Sequence, residues 1–256
     1  RLSQFGAKKV AMFFADNQAG ALSALLNDPS ARERLALNIS LASVGFDGVA
    51  LDFEGLGPDR GGTAADSANF TAFVETVKRQ CGGRSLMTVL PPLNGLSGGY
   101  DHKELGRVSD AIVLMAYGYE DPVQPSGTAP WDEVDEAVAL EMREVPKEKI
   151  ILGIPAYGTA YRGEGQAASR EAHPAARDPL GPGELQATFD PRSISEVLSW
   201  TDDSGTHTAY LESNRTLQAR VSLAKRYGLR GVAVWRLGLL NQGWWDAVVE
   251  AVQPVR

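Results

Sequence analysis

Residues 47–57 read DGVALDFEGLG: an apolar run that carries two carboxylates, Asp52 and Glu54, at its far end and then breaks into glycines. On a β-strand alternate residues share a face, so Ala50, Asp52 and Glu54 point one way while Val49, Leu51 and Phe53 point the other. The second set is the one that packs on helices. Gly55 and Gly57 end the strand and leave Glu54 at its C-terminal end, where α/β barrels and open α/β sheets build their sites. Two carboxylates about 7 Å apart along a strand repel if both ionise in a shielded pocket, so one of them should titrate high. A glutamic acid raised from about 4.3 is what a general acid working near neutral pH requires. Acids at a strand end can equally be helix caps or solvated loop residues, and the pair alone does not choose between these readings.

Outward from this stretch, short apolar or β-branched runs alternate with amphipathic ones: KKVAMFFA, FDGVALDFE, SLMTVLPP, DAIVLMAYG, KIILGIPAYG and GVAVWRLG are separated by segments such as SANFTAFVETVKRQCGG and WDEVDEAVALEMREV. Strands that are apolar without alternation imply burial on both faces, as in a parallel sheet wrapped by helices. Asn27-Asp28-Pro29 opens one helix, Gly82-Gly83 closes another, and Arg226-Tyr227-Gly228 ends a third on a basic last turn. Residues 159–210, rich in Gly, Pro and Ala, read as an insertion between the last two strands, with a small hairpin at SWTDDSGTHTAY. Nothing reads as a linker, so residues 1–256 are expected to form a single α/β domain.

The 256 residues are 43% hydrophobic, enough for one large core. A net charge of -7 without a Lys/Arg cluster argues against a nucleic-acid partner. Cys81 is the single cysteine, so no disulfide framework or thiolate metal site is expected, and His102, His173 and His207 lack metal-ligand spacing. No glycine-rich phosphate loop or nucleophile elbow is present, and no cofactor is expected. The longest apolar runs, such as VAMFFA at 10–15, are far short of a membrane span, and no charged-then-apolar leader opens the chain. Membrane insertion of this segment is therefore not expected.

Asp47 through Glu54 resembles the signature D-G-x-D-x-D-x-E of glycoside hydrolase family 18, the chitinase-like hydrolases, with three of its four acids present. Met115-Ala116-Tyr117 is similar to the family's M-x-Y strand, LGIPAYG to its seventh strand and GVAVWRLG to its eighth, all in order. The likeness is closest to the bacterial cell-wall branch, with its spore-cortex and polysaccharide-modifying members. It implies a (β/α)8 barrel of the TIM type and a retaining glycosidase for N-acetylglucosamine-containing polysaccharide, in which the substrate's own 2-acetamido oxygen attacks the anomeric carbon. It also implies an extracellular or cell-envelope location. By the resemblance Glu54 protonates the leaving oxygen and later activates water, Asp52 orients the acetamido group, Tyr117 hydrogen-bonds its carbonyl and Trp235 stacks under the sugar. Met115, Tyr119, Glu120, Tyr157, Trp131 and Asp47 complete the substrate-side candidates. Asp47 faces away from the acids by parity, which suits ordering the start of the strand better than chemistry.

The sequence departs from the family in three places. Position 50 is Ala50 where the family keeps a polar partner for Asp52, and Gly118 replaces the aspartate that usually follows the tyrosine, with Glu120 or Asp121 as possible stand-ins. KKVAMFFADN looks like the family's third strand, so the first two strands are not recognised in this sequence: either it is a fragment, or the protein is a shortened barrel whose open edges would have to be covered. These departures leave a second reading, a glycan-binding barrel without turnover. Tyr100, Asp101 and His102 fit either a sugar site or a turn. Trp131 fits either a sugar platform or packing, and Trp200, Trp244 and Trp245 fit packing better.

Overall fold

The computed structural model describes residues 6–162, 186–203, 205–236, 239, 243, 246 and 247. Contacts divide the chain into two units, residues 1–115 with 137–151 and residues 116–136 with 152–256.

The first unit carries strands β1 (Val10–Asp16), β2 (Gly48–Glu54), β3 (Ser85–Leu90) and β4 (Ala111–Leu114), adjacent in that order and parallel. Between them run α1 (Ala21–Asn27), α2 (Pro29–Ala42), α3 (Asp66–Gln80) and α4 (His102–Val108). Asp28 caps α2 by accepting from Ser30 N at 2.8 Å, with Pro29 in the first turn, as the Asn-Asp-Pro signal implies. On β2 the parity argument holds: Phe53 turns to α3 and stacks on Phe70 and Phe73, ring centroids 5.9 and 5.3 Å away. All three rings are buried, and truncating Phe73 to alanine would cost about 3–5 kcal/mol.

Register places Met12 and Met87 beside Ala50, Phe14 beside Asp52 and Asp16 beside Glu54, so these residues share the face of the two acids. Strand β2 is buried on both faces, whereas β1, at the sheet's edge, alternates and exposes Met12 and Phe14. Leu37 and Leu41 of α2 and the following Val44 and Phe46 are exposed as well, while Ala36 and Ile39 are buried. Helix α2 is thus apolar on two faces, and only one of them is used within this unit.

The last part of α5 (Trp131–Glu144) and the first two residues of β5 (Ile150–Pro155) belong to the first unit, the remainder of each to the second. In the second unit β5 neighbours β10 (Gly231–Trp235), and Ile154, Ala156, Leu217, Val221 and Ala247 form its core. Helix α6 (Asn214–Tyr227) contributes to that core, starts with a Ser213–Thr216 capping box and ends at Gly228, φ +67°. Residues 159–162 and 186–211 form a separate antiparallel sheet in the order β6-β9-β8-β7, from β6 (Thr159–Arg162), β7 (Gln186–Asp190), β8 (Ser195–Asp202) and β9 (Gly205–Leu211). The β8–β9 hairpin is the one read at SWTDDSGTHTAY, and Trp200 lies in the sheet's own core with Leu198 and Leu211. Residues 163–185 of the expected insertion, with His173, lie outside the described residues. Among the described residues the element order is α/β with six parallel strands, two fewer than a (β/α)8 barrel.

Candidate active site

In the first unit the site is built on the end of β2. Asp52 is 3% exposed, and Glu54, the last residue of the strand, is half-buried. Burial, then the negative charge of Glu54, then a side-chain hydrogen bond to Glu54 raise the Asp52 carboxyl from 3.8 to about 7. A protonated Asp52 donates that hydrogen bond to Glu54. The sequence expected one of the two carboxyls to titrate high, and burial raises that of Asp52, which sits two residues deeper in the sheet. Asp52 Oδ1 finds no hydrogen-bond partner among the described residues, and its strand neighbour on that face is the methyl of Ala50. Asp16 adds a third carboxylate, exposed and in register with Glu54.

Loops behind this face hold the strand end. Gly55 and Gly57 have φ of +74° and +99°, where a side chain would be strained. A Cβ on Gly57 would also lie 2.6 Å from Gly99 N, so the loops after β2 and β3 touch backbone to backbone. Tyr100 donates to Phe53 O at 2.8 Å and its ring meets Phe70 edge-on. Asp101 caps α4 by accepting from Glu104 N at 3.0 Å, and His102 is buried with Nδ1 2.7 Å from Glu141 Oε2. Each residue of the Tyr-Asp-His stretch is thus engaged by the protein's own backbone or side chains.

In the second unit Thr128 organises the segment after Met115. Gly118 N and Tyr119 N both donate to Thr128 O, at 2.9 and 3.0 Å, and Thr128 Oγ1 donates to Glu120 Oε2 at 2.7 Å while lying 3.4 Å from Tyr157 OH. Tyr117 and Tyr157 meet edge to face at 6.2 Å. Gly118 adopts φ +86°, so this backbone is one an aspartate would enter only with strain. Trp235, at the end of β10, is 43% exposed, and its carbonyl accepts from Ala156 N at 2.7 Å.

Other candidates fall elsewhere. Asp47 precedes β2, at the opposite end from the acids, and its Oδ2 accepts from Lys9 N at 2.7 Å. Met115 is half-buried in the first unit and donates from its backbone to Leu90 O at 2.9 Å. Trp131 has the guanidinium groups of Arg220 and Arg226 within 5.5 and 5.9 Å of its ring centroid, which leaves less of it for a sugar. Trp244 and Trp245 lie outside the described residues. Among the described residues no group of His, Cys, Asp and Glu is placed to hold a metal ion, and no helix is long and apolar enough to cross a membrane. Asn17, Asp66 and Thr128 went unremarked in the sequence. For Asp66 the one available signal was Thr63 three residues ahead, a spacing suited to a local side-chain turn.

The profile described as glycosyl hydrolases family 18 matches residues 7–239. A Bacillus subtilis protein provisionally described as the sporulation-specific glycosylase YdhD is 28% identical over 229 residues, covering 84% of this chain and 53% of its own. The cortical fragment-lytic enzyme of the same organism is 26% identical over 240 residues, 86% of this chain and 54% of its own. The chain spans about half the length of these curated relatives. The crystal structure of YdhD superposes with a TM-score of 0.79 at 25% identity, covering 91% of this chain and 82% of that one. That of the Bacillus cereus spore cortex-lytic enzyme SleL gives 0.82 at 22% identity, covering 95% and 60%, a likeness of fold.

Proposed function

Because the chain belongs to glycosyl hydrolase family 18, we propose that it is a retaining glycosidase that cuts polysaccharide containing N-acetylglucosamine by substrate-assisted catalysis. One observation carries this reading: two carboxylates share a face at the end of β2, Asp52 buried and Glu54 half-buried, with Asp52 raised to about 7 by burial and by Glu54. Passing the Asp52 proton to Glu54 gives an acid that can protonate the leaving oxygen, and leaves Asp52 as the anion that stabilises the positively charged oxazolinium formed by the acetamido group. Glu54, deprotonated after that transfer, then activates the water that opens the oxazolinium. The resemblance assigns Tyr117 to the acetamido carbonyl and Trp235 to the sugar face, with Met115, Tyr119, Glu120, Tyr157 and Trp131 as further substrate contacts.

The relatives' names point to glycans of the bacterial envelope and spore cortex, so the substrate class is peptidoglycan, poly-N-acetylglucosamine or a chitin-like polymer and the place of action is the cell envelope or outside it. Residues 1–256 act as one catalytic domain with 159–210 inserted before the last strand.

A second reading, a glycan-binding barrel without turnover, is favoured by the unpartnered Asp52 Oδ1 beside Ala50. Incubating the parent chain and Glu54→Gln with β-1,4 and β-1,6 N-acetylglucosamine oligomers and with peptidoglycan separates the two. New reducing ends from the parent alone support hydrolysis. Binding without cleavage supports the second reading, and cleavage of a substrate lacking the 2-acetamido group would contradict the assisted mechanism.

A further inference from the structure

We infer that Asn17, Asp66 and Tyr100 are positioning residues: together they clamp the backbone of residues 53–57 and so fix the direction of the Glu54 carboxyl. The inference rests on the acid/base role proposed for Glu54. The segment needs such a device. It ends in Gly55-Leu56-Gly57, and two glycines in the left-handed region would otherwise leave the end of β2 free to move.

The backbone groups around Glu54 are satisfied from three directions. Tyr100 OH donates to Phe53 O at 2.8 Å and accepts from Leu56 N at 3.4 Å, bracketing the glutamate on both sides. Asn17 N donates to Glu54 O at 3.0 Å, and Asn17 Nδ2 donates to Gly55 O at 2.9 Å. Gly57 N donates to Asp66 Oδ2 at 2.9 Å. These side chains come from the loop after β1, the loop after β3 and the first turn of α3, and all three are buried.

The clamp members also orient one another. Asp66 accepts from Ser23 Oγ at 2.7 Å, from Thr63 N at 3.0 Å and from Thr63 Oγ1 at 2.8 Å, in addition to Gly57 N. An acceptor-only carboxylate forces the Ser23 hydroxyl proton toward itself. Ser23 Oγ is then left as an acceptor for Asn17 Nδ2 at 2.9 Å, while Ser23 N donates to Asn17 Oδ1 at 3.0 Å. That fixes which end of the Asn17 amide faces Gly55 O. The path runs one way, from Asp66 through Ser23 and Asn17 to the peptide that follows Glu54. Steric fit closes the arrangement, because a Cβ on Gly99 would lie 2.3 Å from Leu56 C and one on Gly62 2.1 Å from Asp66 Oδ2.

A reacting acid must be held within a fraction of an ångström of its productive geometry, and that tolerance separates positioning from mere stability. The test uses the full chain with Tyr100→Phe, which keeps the ring on Phe70 and removes the hydroxyl, and Ser23→Ala, which breaks the path without touching residues 53–57. Hydrolysis of N-acetylglucosamine oligomers should show kcat lowered about tenfold with KM within about twofold. Amide exchange at Leu56 and Gly57 should accelerate about tenfold. Faster exchange with unchanged kcat would overturn the inference, leaving a purely structural clamp, and so would unchanged exchange. If the parent hydrolyses nothing, the proposed function fails on its own account. The clamp is then decided by the Glu54 carboxyl 13C line, expected sharp in the parent and broadened or split in both variants. An unaltered line would overturn it.

Discussion

Two aspartates lie fourteen positions apart in the same unit, both almost fully buried, and the structure treats them in opposite ways. Asp66, 0% exposed, accepts four hydrogen bonds, and its carboxyl is held below the ordinary 3.8 by the Ser23, Gly57 and Thr63 donors against the opposing effect of burial. Asp52, 3% exposed and with one oxygen unpartnered among the described residues, rises to about 7 through burial first and the negative charge of Glu54 second. Donors turn a buried carboxylate into a structural anchor, and their scarcity turns it into an acid that holds its proton near neutral pH. Both oxygens of Asp66 are met by donors, whereas Asp52 keeps one oxygen without a partner among the described residues.

The comparison can be broken most sharply at Glu54. Glu54→Gln removes both the proposed acid and a charge that raises Asp52, and turnover should fall about 10²–10⁴-fold in a reducing-end assay. Next in size, Asp66→Ala strands the donors of Ser23, Gly57 and Thr63 and should cost about 3 kcal/mol in urea unfolding at pH 7. Because the folded Asp66 pKa is depressed, its contribution is present above the unfolded value and lost as pH falls through the folded one, so the deficit should shrink in acid.

Asp52→Asn should behave in the opposite sense. A raised folded pKa means stability falls as pH climbs from 3.8 to about 7, and the cost is complete above that. The variant should therefore unfold with about 1–3 kcal/mol more difficulty than the parent at pH 8, allowing for solvent that still screens the pair, with no gain below pH 4 and with activity lost. The smallest change is Ala50→Asn, which offers a donor on the face of Asp52 and should bring its carboxyl down from about 7. A carboxyl titration by 13C NMR reads that shift.

How much of this was legible beforehand follows from range. Strand parity separated Phe53 from Asp52 and Glu54 because alternation is local, and Asp28-Pro29 and Gly228 marked helix ends for the same reason. Depth was not legible: the sequence shows two acids two residues apart, but not which is farther from water. Nor was the clamp, since Asn17 and Tyr100 reach residues 53–57 across separations of 38 and 44–47 positions and depend on Gly57 meeting Gly99. Strand β1 looked as apolar as β2, yet Phe14 is 63% exposed, because an edge strand has a neighbour on one side. Gly118 was read as a lost polar group, whereas its φ of +86° shows a backbone suited to glycine.

The most direct test of the account is the carboxyl titration of Asp52 in the parent and in Glu54→Gln. Burial and the Glu54 charge together predict a transition near 7 in the parent that moves down in the variant while staying above 3.8, since burial, the larger cause, remains. A parent Asp52 that titrates near 4, or one unmoved by the loss of Glu54, would contradict it.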